Sequence, residues 1–139
     1  MIIKKVTLAL ALVVGVASCN QGGRQAEIDV AAIIADTTNV NVLYFRIKQR
    51  CATCNAVAAV AQRTVETVYA GNEKVRYVEI ENSVKANEAL IEKYEVMWNV
   101  LIIVKGDAVV DITQRAFLNA VNNPQLVENI IIDEVNKRL

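Results

Sequence analysis

Two cysteines three positions apart, Cys51-Ala52-Thr53-Cys54, are the residues of this chain best suited to chemistry, because thiols at that spacing close a disulfide and open it again. The same spacing also serves as half of a zinc site. A zinc ribbon needs a second ligand pair, however, and the 139-residue chain has three cysteines and no histidine. The third, Cys19, belongs to a different pattern near the N-terminus. At the start of a helix, unpaired N–H groups and the helix dipole favour a thiolate at Cys51, with Arg50 and Lys48 adding positive charge. Cys51 is then the nucleophile. Cys54, one turn further in, is the thiol that resolves a mixed disulfide. The alternative for the pair is a structural disulfide that never turns over, and for Arg50 and Lys48 an ordinary solvated surface.

The flanking elements place the pair at such a helix start. Val40-Asn41-Val42-Leu43-Tyr44-Phe45-Arg46-Ile47 reads as a strand, and Asn55 to Tyr69 as a helix. That helix, drawn from Cys54, sets Val57, Val60, Ala61, Thr64, Val65 and Val68 on one stripe and ends at Gly71-Asn72. Upstream, Ile28, Val30, Ala31, Ile33 and Ile34 suit a short amphipathic helix, with an edge strand as the other reading. Downstream, Val75 to Ile80 alternates as a strand, and Ser83 caps a helix carrying Ala86, Leu90, Ile91 and Tyr94. Leu101 to Val104 is the unbroken apolar run of a strand buried on both faces, and Gly106-Asp107 turns it into Ala108 to Ile112 as a hairpin. Phe117, Leu118 and Val121 open a helix interrupted at Asn122-Asn123-Pro124, after which Val127, Ile130, Ile131 and Val135 continue the stripe.

The first residues read as a targeting segment. Lys4 and Lys5 precede an apolar run from Val6 to Val16, and Val16-Ala17-Ser18-Cys19 fits a bacterial lipobox, the cysteine being the residue that becomes lipidated. The alternative is an ordinary secretory signal. The organisation expected is a lipoprotein signal over 1–18, the lipidated Cys19 with a polar tether over 19–26, and one domain over 27–139. Removing residues 1–18 from 139 leaves 121, enough for a single core. The 15 basic residues less Lys4 and Lys5 then stand against 15 acidic ones, a net charge of about −2 and no nucleic-acid footprint. Such a protein sits on the periplasmic side of a bacterial membrane through its lipid anchor; Asn20 after the cleavage point favours the outer membrane. No nucleotide-binding glycine turn is present, and no cofactor is expected.

The order β, α, β, α, β, β, α with a dithiol after the first of these strands resembles the thioredoxin fold: an α/β domain with a mixed central sheet, flanking helices and a C-terminal hairpin plus helix. More narrowly, Gln49-Arg50-Cys51-Ala52-Thr53-Cys54, Tyr94-Glu95-Val96-Met97-Trp98 and Asn122-Asn123-Pro124 are similar to the small ArsF, or "nitrophenyl compound nitroreductase subunit", family. The resemblance implies thiol–disulfide exchange with protein thiols or disulfides. It also sets out departures. The cis-proline that faces a thioredoxin dithiol falls near Val100, where there is none, and the buried aspartate falls at Phe45. The tryptophan before the first cysteine is replaced by Arg50, leaving Trp98 to supply an aromatic wall from the opposing loop. A less shielded dithiol admits soft-metal or metalloid binding through Cys51 and Cys54, and a third reading is a non-catalytic binding subunit that keeps the fold for its surface.

Overall fold

Seven consecutive residues, Val40–Arg46, form β1, and every one is buried. A strand so dry on both faces requires cover above and below and partners on both edges. The computed structural model, which describes residues 28–139, supplies all of these. β1 pairs in parallel with β2 (Val75–Glu81) and antiparallel with β3 (Val100–Lys105), and β3 turns at Gly106-Asp107 into β4 (Ala108–Asp111). The order across the sheet is β2-β1-β3-β4.

The two-residue period of the strands sorts the core into two layers. Val40, Val42 and Tyr44 of β1, with Leu101 and Ile103 of β3, pack against α2 (Ala52–Val68), α4 (Thr113–Asn119) and α5 (Pro124–Asn136). Leu43 and Phe45, with Ile102 and Val104, face the opposite way toward α1 (Val30–Ala35) and α3 (Glu88–Lys93). With α2 as the crossover between parallel strands β1 and β2, this is a thioredoxin-like arrangement.

Several details differ from the sequence reading. The segment after Asp29 is, as read, a helix, with the Asp29 carboxylate accepting from Ala32 N–H at 2.9 Å, and the differences lie further along the chain. Ser83 caps nothing. Its hydroxyl donates to Glu81 at 2.6 Å, and the chain passes through a 3₁₀ turn, Lys85–Asn87, before α3 begins. Val68 is 44% exposed, because the chain leaves helical geometry at Tyr69 and it is the tyrosine that turns inward, its hydroxyl donating to Asn136 Oδ1 at 2.9 Å on α5. In α4 the buried stripe is Ile112, Ala116 and Ala120, which leaves Leu118 and Val121 exposed. Pro124 starts α5 in the first turn, where its missing N–H costs nothing, and Asn123 caps it.

Two junctions are held by polar groups. Between α1 and β1 the Asp36 carboxylate, 8% exposed, accepts from the N–H groups of Thr38 and Asn39 at 3.0 and 2.9 Å and from the side-chain amide of Asn39 at 2.8 Å. Burial alone would raise its pKa, but these hydrogen bonds outweigh it and hold the carboxyl well below the usual range. After α3, Val96 N–H reaches Ile91 C=O at 2.9 Å and Glu95 N–H reaches Glu92 C=O at 3.2 Å, a Schellman motif. Its left-handed position is filled by Glu95 at φ 51° rather than by glycine.

No helix among the described residues is long and apolar enough to cross a membrane. The signal segment 1–18, the lipidated Cys19 and the tether over 19–26 lie outside the described residues.

Candidate functional site

Cys51 is the N-cap of α2 in extended backbone geometry, and its Sγ accepts the Cys54 N–H at 3.0 Å. A cap position needs an acceptor for an orphan N–H of the first turn. Here sulfur takes the place usually held by a serine or aspartate oxygen, so the helix start and the reactive group are one atom. Cys51 and Cys54 form a disulfide, their Cα atoms 5.0 Å apart. Cys51 is exposed while Cys54 is 6% exposed, packed inside the first turn. From the sheet below, the Tyr44 hydroxyl donates to the Cys54 carbonyl at 3.2 Å, and burial pushes the Tyr44 phenol up to about 12.

Arg50 does not stand free beside Cys51. Its guanidinium pairs with Glu79 of β2 and reaches Asn55 Oδ1 at 3.4 Å. Glu79 is a shared acceptor: Arg46 Nε donates to it at 2.6 Å, and the Tyr77 hydroxyl donates to its second oxygen at 3.3 Å. Arg46 also meets Glu81 at 2.7 Å. Burial, followed by the Glu79 charge, pushes the Tyr77 phenol well above its ordinary value. The loop before the dithiol is therefore tied to β2 by a cluster of two guanidiniums and two carboxylates. Lys48 is an exposed surface charge.

The opposing loop places its residues otherwise than their order in the sequence suggests. Trp98 is 71% exposed and Met97 77%. The backbone beneath them is fixed, since Asn82 Nδ2 donates to the Trp98 carbonyl at 3.0 Å. Val100 is the first residue of β3, register partner of Phe45, and its side chain packs with the α1/α3 layer. Both residues therefore face away from α2 and the dithiol. The β1 residue on the dithiol side is Tyr44, and the opposing-loop residue that reaches it is Asn99, which sequence reasoning passed over. Asn99 Oδ1 accepts the Ile47 N–H at 3.0 Å, and Asn99 Nδ2 lies 3.5 Å from Cys54 Sγ. All peptide bonds among the described residues are trans. The described residues hold no group of three or more His, Cys, Asp or Glu that could bind a metal ion.

No family model matches the chain, and no curated protein matches it. Among solved structures, the chain is similar to one described as "Structure of a malarial protein", with 22% identity and a TM-score of 0.41 over 66% of this chain and 96% of that one. A likeness of that degree decides nothing about activity, and the fold stands on its own strand order and register.

Proposed function

We propose that the chain is a thiol–disulfide oxidoreductase or electron-transfer protein that exchanges electrons with protein dithiols through Cys51 and Cys54. The observation that carries the reading is the unequal placement of the two bonded cysteines, Cys51 exposed at a helix N-cap and Cys54 buried within the first turn. Exchange proceeds by attack of a thiolate on one sulfur of a disulfide. Access from outside favours Cys51, and the N-terminal N–H groups of α2 stabilise the thiolate that forms there. A mixed disulfide on Cys51 then has Cys54 within one turn to resolve it.

The test is trapping. Cys54→Ser should accumulate mixed disulfides with partner proteins, and Cys51→Ser few; equal trapping removes the assignment of roles. A reduction potential between roughly −270 and −120 mV belongs with working oxidoreductases, whereas a value well below about −300 mV marks a structural bridge.

We further propose that the domain works at a bacterial membrane, on the periplasmic side, anchored through a lipidated Cys19. The support is Val16-Ala17-Ser18-Cys19 following an apolar run. Fatty-acid labelling that survives Cys19→Ser would overturn the anchor and leave the dithiol assignment untouched.

A further inference from the structure

We infer that Asn99 is a catalytic residue of the exchange site: its side-chain amide holds the electron pair of the Cys54 sulfur by hydrogen bonding. The inference rests on the exchange reading above. The amide orientation follows from a neighbour that can only donate. Ile47 N–H lies 3.0 Å from Oδ1, so the oxygen faces the backbone and the NH₂ group faces Cys54 Sγ at 3.5 Å. Cys54 is 6% exposed, so its sulfur has little access to water. The other polar groups around it are engaged elsewhere: the Tyr44 hydroxyl donates to the Cys54 carbonyl, the Cys54 N–H to the Cys51 sulfur, and Arg50 to Glu79. Among the hydrogen bonds of the described residues, Asn99 is the donor to this sulfur.

The need for such a donor arises in the exchange itself. A partner thiolate attacks Cys51 Sγ; the partner-to-Cys51 bond forms as the Cys51–Cys54 bond breaks, and the electron pair leaves on Cys54 Sγ. The partner's second thiolate then attacks its own sulfur in the mixed disulfide and releases Cys51 as a thiolate. The partner dithiol has been oxidised to a disulfide and the Cys51–Cys54 pair reduced by two electrons, the two partner protons passing to solvent or to the new thiolates. A leaving thiolate departs faster as its basicity falls, and a buried anion with no hydrogen bond is costly. The Asn99 amide meets both demands. In the opposite direction it keeps Cys54 deprotonated for the resolving attack.

The test uses the full chain and dithiothreitol as reductant, with Asn99→Ala and Asn99→Asp as variants. Asn99→Asp keeps an oxygen for Ile47 N–H and replaces the donor by a negative charge, so it separates donation to sulfur from support of the loop. Hydrogen bonds to charged groups are among the stronger ones, and at this N-to-S distance the low end applies, so Asn99→Ala should slow reduction of the disulfide about tenfold. Asn99→Asp should be slower still. Thiolate absorbance across pH in a Cys51→Ala background should show less Cys54 thiolate at neutral pH in both variants. A wild-type rate and titration for Asn99→Asp overturns the inference whatever Asn99→Ala does, and decides the matter alone if Asn99→Ala fails to fold. Slowed reduction by dithiothreitol together with no partner trapped by Cys54→Ser would leave Asn99's role standing and remove the exchange reading.

Discussion

Reducing Cys51–Cys54 should leave the fold almost as stable as before. The bond spans a sequence separation of 3 and closes a loop inside one helical turn. In the chain-entropy description a loop of that size restrains the unfolded chain by only about 2 kcal/mol, against roughly 4.7 for a 100-residue loop. Part of even that should be offset, because each sulfur has an N–H donor that reduction does not remove: in the oxidised protein the Cys54 N–H lies 3.0 Å from Cys51 Sγ, and Asn99 Nδ2 3.5 Å from Cys54 Sγ. Both become stronger when the acceptor is a thiolate. The expected loss of unfolding free energy on reduction is therefore below about 2 kcal/mol, which for a two-electron couple places the native pair within about 40 mV of the same pair in the unfolded chain. Urea unfolding of the oxidised and fully reduced protein at one pH gives the first quantity, and redox titration of native and denatured protein the second. The two must agree, since they close one thermodynamic cycle. A loss of about 4 kcal/mol or more, or a reduced protein that no longer unfolds cooperatively, would mean that the bridge is built into the fold and would refute the reasoning.

Three further outcomes are expected. Glu79→Ala should destabilise the protein by about 2 kcal/mol in urea titration, below the usual cost of breaking a buried pair, because Arg46, whose side chain is 9% exposed, retains Glu81 while Arg50 returns to water. Asp36→Asn should cost about 1.5–3 kcal/mol at neutral pH, measured by urea unfolding. The depressed pKa of Asp36 means that this stabilisation is fully present above the ordinary carboxylate value of about 3.9 and lost as pH falls below it, so the gap between wild type and variant should close under acid. Glu95→Gly should raise the thermal midpoint by an amount worth about 0.5–1 kcal/mol, since a left-handed φ of 51° strains a residue with a Cβ, and no rise would show that the Glu95 side chain compensates the strain.

The architecture is legible in the residues because each strand carries its own signal: the unbroken apolar run Leu101 to Val104 requires burial on both faces, and Gly106-Asp107 marks the hairpin without reference to anything distant. The dithiol announced itself by spacing. What failed was parity. Counting along a family pattern puts the missing aspartate at Phe45 and the missing proline near Val100, yet these two are register partners on the far face, one residue away from Tyr44 and Asn99, which reach the site. A shift of one residue in a strand moves a side chain to the other side of the sheet, and local sequence holds no marker for which side is which. The pairing of Arg50 with Glu79, 29 residues apart, is a property of the β1–β2 register and could not be read before that register was known. The buried stripe of Ile112, Ala116 and Ala120, spaced by four, likewise carries small residues that give a weaker apolar signal in sequence than the exposed Leu118 and Val121.

The protein carries one tryptophan, and it stands in the open on the loop that leads through Asn99 into β3. Most single tryptophans sit in a core and report unfolding; Trp98, 71% exposed in the folded state, already has the surroundings an unfolded chain would give it. Its emission is consequently a poor gauge of stability and a good one of occupancy. Asn82 holds the carbonyl of Trp98, and a blue shift in the indole fluorescence reports that something has come to rest against the loop that carries Asn99 to Cys54.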